Sequence, residues 1–456
     1  MTVATNNERE TDLEASYDSI GSIETNVLDG FTLTSVGDVI LSRPISQYTH
    51  PGFHELVALL QGSDATFGNM ETLIFDIRTF SGSPAAEHGG AYHVSLPAVA
   101  PDLRAMGFNI VGCANNHTLD WGLEGMRATC QALDESGIVH AGTGENHAQA
   151  GAARFLETAK GRVALVSFAT SFTPMSRACD PAGEAPGRAG VNALRLTRSI
   201  TVTAEMLQNL RDIRDQLPYY NAQGSDECAV NLAGTEYKLG SSVGYSYNAN
   251  GSDVAEIARN VRRGKQFSDF CIAASHGHHP GNWSDEPADY EQAFARGLID
   301  SGADVYVAQG PHRLRGIELY KSRPIFYGLG NFIMDDLRTP VGADMFDSYD
   351  KDPQTDTDAD VTVAEMTRGY ETAPGLNSPV FYESVVAVSR FERNELAELR
   401  LYPIELGYSK RFANRGIPRL ASPEQAREIL VRLQNLSKPY GTHISVYENV
   451  GVIKLK

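Results

Sequence analysis

The chain has 456 residues, of which 42% are hydrophobic and 21% charged, a globular composition with room for one large domain or two to three smaller ones. Its 57 acidic and 39 basic residues leave a formal net charge of −18. Because no lysine/arginine block offsets that total, it argues against a general nucleic-acid or anionic-membrane binder. Five cysteines, Cys113, Cys130, Cys179, Cys228 and Cys271, are scattered with no CxxC. They suit reduced cytosolic thiols, not a disulfide framework or a zinc-cysteine site.

The first 28 residues are acidic and polar and are expected to be a flexible tail. They show no basic start followed by an apolar run, and no stretch approaches the roughly 18 apolar residues of a membrane span. The expected location is cytoplasmic. "DGFTLTSVGDVIL" then reads as a buried strand delivering Asp38, and "DATFGNMETLIF" repeats the design with Asn69 and Glu71. "VAPDLRAMG" predicts a short helix, "FNIVGCANN" a strand, and "LEGMRATCQALDESG" a helix closed by Gly137. "GRVALVSFA" predicts a further buried strand.

Between about 175 and 265 the pattern changes to one helix, "AEMLQNLRDIRDQL", and a long stretch rich in Gly, Ser, Asn and Tyr, which reads as an insertion. The core pattern returns with helix "DVAEIARNVRRG", strand "FCIAAS", the motif "HGHHPG", helix "YEQAFARGLIDSG" and strand "DVYVAQG". Residues 337–377 are strongly acidic and are expected to form a loop or lid with little packing of their own. Residues 378–456 complete the 29–336 core with two paired strands and the capped helix "SPEQAREILVRLQNLS".

Five apolar strands thus end in polar residues: Asp38; Asn69 and Glu71; Asn115, Asn116, His117 and Asp120; His276 and His278; Gln309 and His312. In an α/β sheet such ends gather at one edge, where sites form. Singly, Asp38 is as good a turn or cap residue, Glu71 an arginine partner, and His276 a satisfied core histidine. Recurrence at every strand end favours a metal site. Carboxylates, carboxamides and imidazoles without thiolates suit zinc, manganese or iron.

The order "VGDVIL", "FGNMET", "CANNHTLDWG", "SHGHHPG", "QGPHRLRGIELYKSRPIFYGLGNF" resembles the CapA family of poly-γ-glutamate capsule-type proteins, over residues 30–335. The resemblance implies an α/β fold on the calcineurin-like metallophosphoesterase scaffold: a four-layer α-β-β-α sandwich of two mixed sheets, here with polar loop insertions. It further implies one or two divalent metal ions per chain. Asp38 would hold the first metal, Glu71 bridge both, Asn116 and His276 hold the second, and His312 return to the first. His117 would be no ligand but a donor to the leaving group or transition state, oriented by Asp120.

Two departures stand out. Ile40 occupies the place of a metallophosphoesterase histidine, and Ala308-Gln309 stands where relatives often have Gly-His. A Gln309 amide oxygen is a weaker donor than imidazole, which leaves His278 as a further candidate ligand. Arg43, Asn69, Arg313 and Arg315 are candidate substrate contacts, the arginines for their fit to carboxylate or phosphate.

The leading expectation is a soluble metal-dependent hydrolase of an amide, peptide (glutamyl-like) or phosphoester bond. A small-molecule or peptide-like substrate is its partner, with no nucleic acid and no membrane span; the sequence does not define an oligomeric state. One alternative is a polyglutamate or cell-envelope biosynthesis factor without hydrolytic activity. Another is a metal-dependent peptide epimerase.

Overall fold

A computed structural model describes residues 25–85, 92–218, 226–335, 341–367 and 378–455. It is a mixed α/β structure. The larger sheet runs in the order Ser445–Tyr447, Val450–Lys454, Glu395–Glu405, Glu383–Glu392, Phe31–Leu41, Ala65–Met70, Ile110–Gly112, Val139–Ala141. Asn331–Asp335 also pairs alongside Phe31–Leu41, and Arg419–Leu420 alongside Glu395–Glu405. From Phe31–Leu41 outward to Val139–Ala141 the pairings are parallel, while the C-terminal strands join antiparallel. The second sheet runs Ile317–Tyr320, Arg323–Phe326, Val305–Gln309, Phe270–His276, Gly161–Ala169, Arg154–Thr158, parallel at its centre and antiparallel at both edges.

Apolar side chains of the two sheets share one buried cluster. Phe31, Leu33 and Phe67 belong to it from the first sheet, Val163, Phe270, Ile272 and Val307 from the second. The rings of Phe31 and Phe270 lie 5.1 Å apart. A second cluster joins Val36 and Val39 to helices Phe53–Gln61, Val99–Met106 and Gly122–Glu135. A third joins Val166, Phe168 and Ala273 to helices Gly251–Gln266 and Glu291–Asp300. Strand alternation explains the division, since successive side chains point to opposite faces. Each large aliphatic or aromatic side chain buried here contributes about 1.5–3 kcal/mol.

Three regions differ from the sequence reading. Thr25 and Val27, placed in the tail, are buried, and Val27 joins the shared core; residues 1–24 lie outside the described residues. The stretch expected to be irregular holds a four-stranded sheet, ordered Ala229–Leu232, Thr235–Leu239, Leu196–Val202, Gly244–Ala249. Helix Ala204–Gln216, capped by Thr203, closes over it around Val202, Leu207 and Val230. Short strands studded with Tyr, Ser and Asn give too little apolar alternation to be read ahead of the fold. In the acidic stretch, Met345 and Val361 come from two short helices and are buried with Tyr92 and Trp121. Residues 337–340 and 368–377 of that stretch lie outside the described residues. All five cysteines are free, and burial pushes the Cys271 thiol up to about 12. Among the described residues no helix is long and apolar enough to cross a membrane.

Candidate metal centre

Strand register brings the polar residues into line. Asp38 is level with Asn69, and Asn69 with Gly112, just before the Cys113–Asp120 segment. In the other sheet His276 is level with Gln309 on one side and Ala169 on the other. The ends of these parallel strands converge where the sheets meet.

Asp38 sits at an irregularity in its strand, with the register shifting on both sides. Such a bulge re-aims a side chain. Gly37 permits it, because a Cβ there would fall 1.7 Å from the Gly330 carbonyl oxygen. His312 adopts φ +57°, a left-handed conformation uncommon for a side-chain-bearing residue and one that costs of order 1–3 kcal/mol.

The gathered atoms lie within ligand reach of one another. His276 stands between two buried carboxylates, its Nδ1 3.6 Å from Asp38 Oδ1 and its Nε2 3.4 Å from Glu71 Oε1. His312 Nδ1 is 3.6 Å from Asp38 Oδ2. Two triads each place one donor atom per residue within 4.8 Å of the others: Asp38, Glu71 and His276, and Glu71, His278 and His312. Asn116 Oδ1 lies 2.7 Å from His276 Nε2 and 3.1 Å from His278 Nε2, with those two nitrogens 3.3 Å apart.

The chemistry of this donor set fits a cation. Asn282 Oδ1, 2.8 Å from His278 Nδ1, can only accept, so Nδ1 donates and Nε2 presents its lone pair to the oxygen of Asn116. Acceptor faces acceptor, a repulsion that a divalent ion held by these residues would relieve. His312 is set in the same manner. Asn331 donates through Nδ2 to the Phe381 carbonyl at 2.9 Å and accepts from His312 Nδ1 at 2.9 Å, which leaves the Nε2 lone pair available as a donor. Burial, together with neighbouring imidazoles, lowers the basicity of His278 and His312. They are neutral electron-pair donors at ordinary pH. Burial alone would raise the Asp38 carboxyl, but His276, His312 and Asn69 together hold it below its usual value.

His117 is arranged differently. Its Nδ1 is 2.7 Å from Asp120 Oδ2, while Nε2 is 3.9 Å from Glu71 Oε1. Burial raises the Asp120 carboxyl well above its usual range and lowers the His117 imidazole well below its own. The 2.7 Å contact with Asp120 fixes the ring through Nδ1 and leaves Nε2 on the side of Glu71. The preceding asparagine, Asn115, braces the turn, donating to the Met70 carbonyl at 2.8 Å and accepting from the His117 backbone N–H at 3.1 Å.

Several expectations are revised by these contacts. Gln309 Nε2 donates to the Val36 carbonyl at 2.7 Å, so this carboxamide ties the sheets together and His278 is the donor that faces the cluster. Asn69 donates to Asp38 Oδ1 at 2.9 Å and lies 3.0 Å from His276 Nδ1; it holds these two side chains, where a substrate contact was expected. Arg315 is fully buried and donates to the Ser284 and Gly281 carbonyls. Arg313 donates to the Trp283 carbonyl and pairs with Asp285. Both hold the loop following His278 instead of pointing to the centre. Arg43 pairs with Asp335 at 3.1 Å and bonds Tyr48. The sequence reading missed the orienting roles of Asn282 and Asn331, although both lie inside quoted or adjoining motifs. His93, whose ring is 4.3 Å from that of His117, had only its glycine-rich surroundings as a signal.

An uncharacterized protein of Sinorhizobium fredii, y4sH, is 68% identical over 446 residues, 97% of each chain. The capsule biosynthesis protein CapA of Bacillus anthracis is 22% identical over 325 residues, covering 70% of this chain and 63% of CapA. A probable polyglutamine synthesis accessory protein of Mycobacterium tuberculosis is 26% identical over 297 residues, 64% of this chain and 62% of its own. A hypothetical protein of known structure from Thermus thermophilus aligns over 82% of this chain and 99% of its own with TM-score 0.34 and 11% identity. The family described as bacterial capsule synthesis protein PGA_cap matches residues 32–336, the span that holds every strand end converging on the centre, and the chain belongs to that family.

Proposed function

We propose that the protein is a metal-dependent hydrolase of the CapA type, serving a capsule-related process by cleaving an amide, glutamyl-peptide or phosphoester bond. One observation carries the reading: two buried carboxylates, a carboxamide oxygen and three imidazoles converge, with lone pair set against lone pair between Asn116 Oδ1 and His278 Nε2. The shared core between the sheets and the helices on their outer faces support the four-layer metallophosphoesterase-like arrangement. A donor set of carboxylates, carboxamide and imidazoles suits manganese, zinc or iron better than a soft ion.

In this reading Asp38, Glu71, Asn116, His276, His278 and His312 hold one or two divalent ions. When bound, such ions polarise a substrate oxygen and lower the pKa of water into the physiological range. Asn69, Asn282 and Asn331 keep the ligating atoms aimed. His117 would offer Nε2–H to the departing group or the developing oxyanion, as a hydrogen bond or, when the ring is protonated, as a proton, and Asp120 fixes the orientation of the ring.

The test is elemental mass spectrometry on protein purified without chelator, followed by product analysis on glutamyl peptides and phosphoesters. Metal at one to two equivalents with metal-dependent bond cleavage supports the proposal. No metal after reconstitution sinks it, and solvent-deuterium uptake at an α-carbon without cleavage replaces it with epimerase chemistry.

A further inference from the structure

His278 is placed differently from the donors at strand ends. Strand Phe270–His276 stops two residues before it, and residues 277–290 form neither helix nor strand. Its N–H donates to Ser171 Oγ at 2.8 Å, and Asn282 Oδ1, 2.8 Å from Nδ1, sets the ring. Asn282 belongs to a tight turn over 281–284, closed by the Ser284 N–H on the Gly281 carbonyl at 3.0 Å. Carbonyls in such a loop have no sheet to satisfy them and need other donors when buried.

Here each of the four carbonyls faces a guanidinium. Arg315 donates through Nη2 to Gly281 at 3.3 Å and through Nε to Ser284 at 3.2 Å. Arg313 donates through Nη1 to Asn282 at 3.3 Å and to Trp283 at 2.9 Å, and pairs with Asp285. Arg315 is 1% exposed and makes no ion pair among the described residues. Burying a charge without a counter-ion is costly, and what this charge supplies is the pair of contacts to the turn.

The two arginines follow directly on His312. Their segment is held to the connection that leads to Asn331, with the Arg315 N–H on the Gly328 carbonyl at 3.0 Å and Leu314 bridged to Leu329. Contacts therefore run without a break from Asn331 and His312, through both guanidiniums, to the turn, Asn282 and His278. The His278 and His312 rings end 5.3 Å apart. Asp38, Glu71 and His276 are fixed by other means: two lie within strands, and the Glu71 N–H donates to the Val39 carbonyl at 3.2 Å.

We infer that Arg313 and Arg315 are positioning residues for His278: they fasten the Asn282 turn to the His312 segment, so that the two imidazoles are presented as a unit. The part of His278 as a metal donor rests on the hydrolytic reading above, whereas the fastening of its ring does not. Because the arginines act through Asn282, removing either loosens the ring that Asn282 sets and leaves Asp38, Glu71 and His276 in place.

The test is nitrogen-15 NMR of the full chain labelled at histidine, stripped of metal and then titrated with zinc. Wild type is compared with Arg313→Gln, Arg315→Gln, Asn282→Ala and the Arg313→Gln/Asn282→Ala double variant, and His278→Gln assigns the signals. Wild-type His278 is expected to hold one neutral tautomer with its proton on Nδ1, and each single variant to exchange between both tautomers. One zinc-binding step should weaken by about 10–100-fold in each single variant, with the double variant no weaker than Asn282→Ala. A cooperative melt verifies folding, and the loop-side Arg313 keeps the comparison open if Arg315→Gln does not fold. A single Nδ1–H tautomer kept in the arginine variants overturns the proposal, as does a double variant whose affinity falls by the product of the two single losses. If wild type binds no zinc but the arginine variants still release the tautomer, the positioning role stands and the hydrolytic reading falls.

Discussion

The strands Phe270–His276 and Val305–Gln309 carry buried charge at both of their ends, and the two ends handle it in opposite ways. At the start, Asp304 meets Lys265 Nζ at 2.8 Å, Arg323 at 2.6 Å and the Cys271 N–H at 2.8 Å, with the Thr25 hydroxyl as a further donor. Every lone pair has a proton facing it. At the finish, Asp38 meets two imidazoles, and His278 turns a lone pair toward the oxygen of Asn116. A buried charge is tolerable only with a partner. One end carries its partners within the chain, whereas the other is shaped for a partner from outside.

That contrast is broken most directly by Asp38→Ala, which removes a buried carboxylate from the finishing end. Elemental analysis is expected to fall below about a tenth of the wild-type metal content, since deprotonated ligands set the affinity; full retention would remove Asp38 from the ligand set. His117→Ala sharpens the contrast, because this residue is assigned to proton donation alone. Turnover should drop about 10²–10⁴-fold with metal content nearly intact, and loss of metal instead would make His117 a ligand. At the starting end, Asp304→Asn leaves Lys265 and Arg323 without their carboxylate and should cost about 3–5 kcal/mol of stability by urea unfolding. Equal midpoints for variant and wild type would show that this node is not structural.

The smallest effect belongs to a carboxylate between the extremes. Glu291 is buried with one hydroxyl donor, Tyr306 at 3.0 Å, and burial pushes its carboxyl up to about 7 despite Arg315 nearby. Its folded value is raised above the unfolded 4.5, so its contribution is fully present below about pH 4.5 and is lost as pH rises through about 7. That shift corresponds to about 3 kcal/mol at most. Glu291→Gln should flatten the fall in stability between pH 5 and pH 8; an identical slope in the variant would assign the fall to another group.

The sequence made the frame legible because its parallel strands are continuous apolar runs ending in polar motifs. Asp38, Glu71, Asn116, His117, His276 and His312 could be picked out for that reason. Side-chain direction was not legible. Arg315 and His312 are three residues apart, yet one donates to loop carbonyls and the other faces Asp38. Gln309 likewise reads as a ligand until its amide is seen on the Val36 carbonyl. The insertion sheet was hidden because Tyr, Ser and Asn on short strands give no clean period.

Asp38, Glu71 and Asn116 come from one sheet, and His276, His278 and His312 from the other. The complete donor set therefore exists only while the two sheets are docked, which makes binding and folding a single linked equilibrium. Whatever occupies both halves adds stability by mass action, about 2.7 kcal/mol at a hundredfold excess over its dissociation constant. Metal supply would then govern how long the folded chain survives as well as how fast it turns over. Chelation should lower the melting temperature by an amount that tracks free-metal concentration.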